Sequence, residues 1–253
     1  MKIEIIPCLN DNYSYLIHDQ ISNTVAIVDP SEFLPCDKII NKNYQKLDFI
    51  LNTHHHYDHV GGNKELKNKY SSTVLGFEND KNRIPHIDVV LKDNQEFKIG
   101  TLNFTTMFIP GHTKGHVAFY FKKEKVLFTG DTLFSLGCGR IFEGTYEQMF
   151  KSLNKLKNLP GDTKIYCGHE YTYNNLEFCL KFNPNNNFLE KKKDAIKLNL
   201  KNKKPTIPST IDEEIKANIF LRFNDPDVKK ALNLDNSSDI EIFTKLRDLK
   251  DNF

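Results

Sequence analysis

The chain has 253 residues, a formal net charge of +2 and 39% hydrophobic residues. This length and composition predict a soluble globular protein with one large domain or a domain plus an appendage. The small net charge gives no ground for expecting nucleic acid as a partner, and no apolar run approaches the roughly 20 residues of a membrane span, so no membrane partner is expected either. The five cysteines are scattered and form no C-x-x-C pair, which predicts reduced thiols in the cytoplasm. The first residues do not resemble a targeting peptide.

Up to about residue 170, short apolar runs alternate with turn signals and predict a sheet-rich region. The predicted strands are Ile3–Ile6, Tyr13–Ile17, Thr24–Val28, Phe49–Leu51, Thr73–Leu75, Leu102–Ile109, Val117–Phe121, Lys125–Thr129 and Thr163–Cys167, with helices at Asn63–Tyr70 and Tyr146–Leu159. Helical periods then predict Asn174–Phe182, Leu189–Leu200, Asp212–Phe223, Asp227–Leu232 and Asp239–Leu249. We therefore predict a layered α/β domain over residues 1–172 and a small helical domain over residues 173–253.

A histidine-rich loop follows the fourth predicted strand. His54 and His56 are two residues apart, so in extended backbone both imidazoles face one point, which suits one metal ion. Asp58 and His59 follow a predicted bend and offer an oxygen and a nitrogen to a second point, since two-metal hydrolytic sites hold their ions roughly 3.5–4 Å apart. His55 points the other way and is not expected to be a ligand. The loop predicts a dinuclear site rather than a polar loop that binds metal adventitiously.

Three more candidate ligands, His112, Asp131 and His169, each follow a predicted strand and a glycine. Taken singly, they could be a turn residue, a helix cap and a buried hydrogen-bonded histidine. Because open α/β architectures place ligands at the carboxyl ends of strands, all the candidates together predict one metal site. His116 begins the next strand and is expected to orient a ligand or the loop.

These motifs in this order resemble the metallo-β-lactamase superfamily: His-x-His-x-Asp-His, Pro-Gly-His-Thr, Gly-Asp-Thr and Cys-Gly-His. Further segments narrow the resemblance to glyoxalase II, the hydroxyacylglutathione hydrolases: Pro7–Ile17, Gly130–Phe134, Gly137–Arg140, Phe142–Thr145, Cys167–Thr172 and Asn218–Arg222. The similarity spans almost the whole chain, including the helical tail. It implies an αβ/βα sandwich of two sheets between helices, with a small C-terminal all-helical domain that binds substrate.

The resemblance also implies how the ligands divide between two ions. The first ion would be held by His54, His56 and His112, the second by Asp58, His59 and His169, and both by a bridging Asp131, so that Asp58 and Asp131 also count as catalytic. Imidazoles and carboxylates suit zinc, with iron or manganese as alternatives. Because a water between two cations loses its proton easily, a metal-bridged hydroxide would attack a thioester carbonyl. The implied reaction hydrolyses S-D-lactoylglutathione to D-lactate and glutathione and completes methylglyoxal detoxification.

The resemblance places Arg140, Tyr171 and Arg222 at the rim of the site, where cations would hold the glycine carboxylate of glutathione. An ordinary surface salt bridge or a packed aromatic ring is the alternative for each of them. One departure from the family is Phe142, where some relatives have a tyrosine.

A second departure is Asp225, where some relatives have a lysine three residues after the arginine at position 222. Asp225 would either pair with Arg222 or repel the substrate. Part of the binding charge would then lie on Lys229 or Lys230.

Other functions are alternatives on the same fold. A persulfide dioxygenase uses one iron and generally lacks the helical tail, so metal content and oxygen consumption would identify it. An RNA-processing nuclease is suggested only by Lys191–Lys204, which we interpret as a solvated helix and linker. A non-catalytic module would be expected to lose ligands, whereas this chain keeps all of them. A glutathione thioester is the expected partner, and a monomer or weak dimer the expected state.

Overall fold

The computed structural model describes residues 1–253, which form two compact units. The first unit comprises Met1–Phe108 and Lys114–Gly130, and the second comprises Ile109–Thr113 and Asp131–Phe253. The domain boundary between residues 172 and 173 stays a prediction.

The first unit contains a six-stranded mixed sheet in the order β1-β2-β3-β4-β5-β6. Its strands are β1 Lys2–Cys8, β2 Asn12–Asp19, β3 Thr24–Val28, β4 Phe49–Leu51, β5 Thr73–Phe77 and β6 Val89–Leu91. Strands β1 to β3 pair antiparallel, and β3 to β6 pair parallel. Helices α1 (Phe33–Asn43), α2 (Tyr57–Val60) and α3 (Asn63–Tyr70) lie between β3 and β5 in the chain.

An aliphatic core packs this sheet against α1 and α3. Ile27 and Ile50 of the central strands share one buried cluster with Ile40 of α1 and Leu66 of α3. Parallel strands are covered on both faces, so their sequences are continuous apolar runs rather than alternating ones. The core therefore fixes the strand ends from which the histidine loop leaves.

Four further strands of the first unit form an antiparallel array in the order β7-β8-β9-β10. They are β7 Glu96–Ile99, β8 Leu102–Phe108, β9 Val117–Phe121 and β10 Val126–Gly130. Aromatic pairs join the two sheets face to face, with ring centroids 5.4 Å apart for Tyr15 and Phe128 and 4.9 Å apart for Phe77 and Phe108. The predicted sandwich of two sheets is confirmed.

The second unit contains two short antiparallel strand pairs and six helices. The strands are β11 Leu133–Phe134 with β12 Gly137–Cys138, and β13 Lys164–Cys167 with β14 Ser209–Thr210. The helices are α4 Tyr146–Lys157, α5 Thr172–Phe182, α6 Asn187–Lys201, α7 Ile211–Ala217, α8 Pro226–Ala231 and α9 Asp239–Asp251. None of the chain's helices is both long and apolar enough to cross a membrane. The predicted helical C-terminal region is confirmed.

Buried aromatic rings hold these helices together. The rings of Phe178 and Phe220 stack with centroids 5.8 Å apart, and Phe243 packs within 6.3 Å of Phe220 and 5.8 Å of Phe150. Capping boxes at Thr145, Thr210 and Ser238 begin α4, α7 and α9.

One predicted helix is wrong in length. The periodicity predicts a single helix over Asp212–Phe223, but α7 ends at Ala217, and Asn218 has φ −77° and ψ 111°. The Asn218 side chain accepts a hydrogen bond from the Phe220 N–H at 3.0 Å, and a 3-10 turn follows over Ile219–Leu221. An asparagine side chain competes with the helical backbone for hydrogen bonds, which explains the break.

Candidate metal centre and substrate-binding residues

The histidine loop brings its predicted ligands together at the end of β4. The ring of His54 lies 4.7 Å from that of His56 and 4.2 Å from that of His59, centroid to centroid. Asp58 Oδ2 lies 3.6 Å from His59 Nε2. Both His54 and His59 are buried. The loop of the first unit therefore offers four candidate donors within one small region.

Asp29 fixes the orientation of two of these histidines. It accepts hydrogen bonds from the Thr53 N–H at 2.8 Å, the Thr53 hydroxyl at 2.6 Å and His59 Nδ1 at 3.0 Å. Since the Thr53 hydroxyl proton goes to Asp29, the Thr53 oxygen 3.0 Å from His54 Nδ1 must accept from that nitrogen. Each ring therefore carries a proton on Nδ1, and when the ring is neutral its Nε2 is left available as a metal ligand.

Asp29 has a role that the sequence motifs do not reveal. Its ligand atoms lie within 4.8 Å of those of His54 and His59, but it bonds the Nδ1 side of His59, which makes it a positioning group. The available signal was an aspartate directly after a buried strand, in front of Pro30. Its φ of 49° is a second mark of a constrained position.

Neighbouring residues orient the rest of the loop. Asn12 Nδ2 donates to Asp58 Oδ2 at 2.9 Å and to the Asp58 carbonyl at 3.1 Å. His116 stacks on His54 with centroids 4.6 Å apart, in line with an orienting role. His55 Nδ1 lies 3.1 Å from a carboxylate oxygen of buried Asp80.

The second unit brings together the other three predicted ligands. Asp131 Oδ2 lies 3.5 Å from His112 Nε2 and 3.2 Å from His169 Nε2. His112 Nδ1 donates to the carbonyl of Arg140 at 2.8 Å, and since a carbonyl can only accept, His112 also presents an Nε2 lone pair. Asp131 therefore places one carboxylate oxygen close to two imidazole nitrogens.

The donors in both units fit metal ions. They are imidazole nitrogens and carboxylate oxygens, and an acceptor fixes the second ring nitrogen of His54, His59 and His112. Such sets bind zinc, iron and manganese. These His/Asp clusters support metal binding and leave the identity of the metal open.

Tyr171 lies against one of the predicted ligands. Its ring is parallel to that of His169, with centroids 4.7 Å apart and planes inclined by 5°. Phe134 packs edge-on against both rings. Tyr171 therefore packs against His169 and remains 38% exposed.

Arg140 belongs to a cationic cluster that sequence analysis only partly recognised. Its Nε lies 3.6 Å from Asp251 Oδ1, and Arg247 Nη2 lies 2.9 Å from the same oxygen. Burial lowers the pKa of Lys250 to about 8, and the charge of Arg247 adds to this effect. Arg247 and Lys250 were missed; their signal was a pair of basic residues one helical turn apart in the last helix.

Arg222 is bound within the helical region. Its guanidinium bonds to the Asp225 carboxylate and to the Lys216 carbonyl. Of the two alternatives for Asp225, the structure has the pairing with Arg222. Lys229 Nζ lies 3.1 Å from Asp239 Oδ1, whereas Lys230 is exposed.

Two family models together cover nearly the whole chain. Residues 10–169 match the metallo-beta-lactamase superfamily, and residues 170–253 match the hydroxyacylglutathione hydrolase C-terminus.

Curated relatives match over the full length. The chain is 53% identical over 253 residues to the hydroxyacylglutathione hydrolase of Pelagibacter ubique (strain HTCC1062), with 100% of both chains covered. It is 44% identical to that of Methylococcus capsulatus, with 100% of this chain and 99% of the relative covered. Among solved structures, ETHE1 from Myxococcus xanthus has a TM-score of 0.70 at 22% identity, over 98% of this chain and 90% of that one, which shows a shared fold alone.

Proposed function

Because the chain belongs to the hydroxyacylglutathione hydrolase family of the metallo-β-lactamase superfamily, we propose that it hydrolyses S-D-lactoylglutathione to D-lactate and glutathione. The observation that carries the proposal is the 53% identity over the full length of a curated hydroxyacylglutathione hydrolase. A metal-dependent thioester hydrolase is also the function that the histidine and aspartate clusters support best.

Seven residues form the metal centre in this proposal. His54, His56 and His112 would hold one ion, Asp58, His59 and His169 would hold the other, and Asp131 would serve both. Zinc is the first choice of metal for both positions, with iron or manganese as alternatives. Bound metal ions would lower the pKa of a water molecule and polarise the thioester carbonyl.

The protein's own contribution is to hold these donors ready. Asp29, Thr53 and the Arg140 carbonyl keep the Nδ1 protons of the histidines in place, so no tautomer change is needed before metal binds. Asn12 holds the Asp58 carboxylate. A preorganised ligand shell of this kind avoids reorganisation during the reaction.

No side-chain nucleophile is required. A thiolate leaves a thioester without strong acid assistance, because a thiol pKa of about 8.5 makes it a stable anion. Cys138 is buried, and burial raises the pKa of its thiol, so it is a poor nucleophile at neutral pH.

Arg140, Tyr171 and Arg222 bind the glutathione part of the substrate in this proposal. The cluster around Arg140 supports an anchor for the glycine carboxylate, since Arg247 and Lys250 lie beside it. Arg222 contributes less than Arg140, because substrate must compete with Asp225 for its guanidinium.

The protein acts on this thioester in the cytoplasm as a monomer or weak dimer, without nucleic acid. Its five cysteines are free thiols, which supports a reducing compartment.

The test is hydrolysis of S-D-lactoylglutathione by purified protein, followed through the released thiol, with metal analysis of the same sample. We expect turnover that is lost with a chelator and restored by Zn²⁺. Metal-loaded protein that releases no thiol would contradict the proposal. Oxygen consumption with a glutathione persulfide would point to the dioxygenase alternative.

A further inference from the structure

The hairpin β11–β12 lies between two residues of the proposed metal centre. It begins two residues after Asp131 and ends two residues before Arg140, whose carbonyl accepts from His112. Only two residue pairs join its strands, Leu133 with Cys138 and Phe134 with Gly137. Since an isolated hairpin of this length is not stable by itself, its position depends on contacts from elsewhere.

Side chains of the helical region supply those contacts. Each of them donates a hydrogen bond to a backbone carbonyl of the hairpin. Asn218 Nδ2 donates to the carbonyls of Phe134 at 3.4 Å and Gly137 at 3.0 Å. The other three bonds run from Asn175 Nδ2 to the Ser135 carbonyl (3.0 Å), from Cys179 Sγ to the Leu136 carbonyl (3.2 Å) and from Arg247 Nη1 to the Cys138 carbonyl (2.7 Å). The carbonyl of every residue from 134 to 138 is therefore bonded to a helical side chain.

Glu214 of α7 is at the centre of this arrangement. It is fully buried, and its Oε2 accepts from the Leu136 N–H at 2.7 Å and from Asn218 Nδ2 at 3.0 Å. Leu136 has a φ of 60°, a backbone conformation that a leucine adopts only when its surroundings hold it there. The same carboxylate oxygen thus fixes the turn of the hairpin and the asparagine that bonds both of its strands.

The hairpin has little room to move without moving the ligands. A Cβ at Gly137 would lie 2.5 Å from Asn175 Nδ2, and one at Gly139 would clash with the Asp131 carbonyl. The Gly139 N–H donates to the Thr132 carbonyl at 3.2 Å and closes the hairpin next to Asp131. A shift of the hairpin would therefore displace both Asp131 and the Arg140 carbonyl that orients His112.

We propose that Glu214 is a positioning residue for Asp131 and His112, and that it acts through the β11–β12 hairpin. The helical region then helps to build the metal centre in addition to binding substrate. This inference rests on the proposed function only in taking Asp131 and His112 as metal ligands.

The test measures Zn²⁺ affinity of the full chain by competition with a chromogenic chelator. Glu214→Ala removes the acceptor and should lower the affinity about tenfold, within the range found when groups that orient metal ligands are removed. Glu214→Gln keeps an oxygen for Leu136 and Asn218 and should stay within about twofold of the wild type. Glu213→Ala is the matched control, since it breaks the capping box of the same helix without touching the hairpin.

Asn175→Ala provides a milder version if Glu214→Ala does not fold, because it removes one bond to the hairpin turn. It should also lower the Zn²⁺ affinity, by a smaller factor. Wild-type affinity in Glu214→Ala, or in Asn175→Ala where the former does not fold, would overturn the inference. So would an equal loss in Glu213→Ala, because that would show a general loss of stability.

Failure of the proposed function would look different. Wild-type protein that binds Zn²⁺ but does not hydrolyse S-D-lactoylglutathione would overturn the reaction and leave the comparison of Zn²⁺ affinities intact.

Discussion

Replacing Asp29 by asparagine tests how the first unit prepares its ligands. The two Asp29 oxygens accept from the Thr53 N–H, the Thr53 hydroxyl and His59 Nδ1. Asparagine has only one side-chain oxygen, so its NH2 group must point either at the Thr53 N–H or at His59 Nδ1. The first orientation places two buried donors against each other. The second forces the proton of His59 onto Nε2, the nitrogen that should bind metal.

The expected magnitude follows from these contacts. A buried donor that loses its acceptor costs about 1–3 kcal/mol of the free energy of unfolding. Loss of a carboxylate that orients a metal-binding histidine typically lowers metal affinity about 10- to 100-fold. Asp29→Asn should therefore combine a moderate loss of stability with a loss of Zn²⁺ affinity of that size.

The assay compares Zn²⁺ affinity by chelator competition with thermal unfolding of the metal-free protein. Asp48→Asn is the control, because Asp48 also accepts a backbone N–H at a strand end, that of Val25 at 2.8 Å, without contact to the histidines. We expect the control to lose stability and keep its Zn²⁺ affinity. If Asp29→Asn behaves like the control, Asp29 does not set the tautomers of the two histidines.

Three further predictions concern substrate and nucleophile. Cys138→Ala should keep most of the activity, because the buried thiol has a raised pKa and the backbone carbonyl that Arg247 bonds is still present in alanine. An acyl adduct on Cys138 of the wild type would contradict this prediction. KM should rise by roughly two- to fivefold in Arg140→Ala and in Arg222→Ala, with kcat nearly unchanged and with the larger effect for Arg140; the rise should be smaller at high salt. If KM is unchanged in both variants at both ionic strengths, the glutathione anchor lies elsewhere. KM should rise as the pH increases through about 8, because Lys250 there loses its proton and its positive charge, and Lys250→Arg should abolish this rise. If KM depends on pH in the same way in the wild type and the variant, Lys250 does not take part in substrate binding.

The candidate ligands were accessible to sequence analysis because their signals are local. His54 and His59 stand directly behind an apolar run, and Asp131 follows another, so strand ends and spacing were sufficient to select them. The sandwich was likewise predictable from the alternation of strands and turn signals. Strands β6, β7, β11, β12 and β14 were missed, because two to four residues are too few to show a period.

The roles of the positioning groups could not be predicted from local signals, because those roles depend on distant partners. Asp29 meets Thr53 only because β3 pairs parallel with β4, with Val28 opposite Leu51. Arg247 bonds a carbonyl 109 residues earlier in the chain. Asn218 fits a helical period locally, but its side chain bonds the Phe220 N–H and the distant hairpin, and the helix stops there.

The role of Asp131 can be tested by measuring S-D-lactoylglutathione hydrolysis and metal content on the same samples of wild type and Asp131→Ala. The wild type should release glutathione and hold two metal ions per chain. Asp131→Ala should lose both activity and bound metal, because a bridging carboxylate neutralises two adjacent cations and fixes their spacing. Unchanged turnover in Asp131→Ala with two metal ions still bound would contradict the dinuclear account.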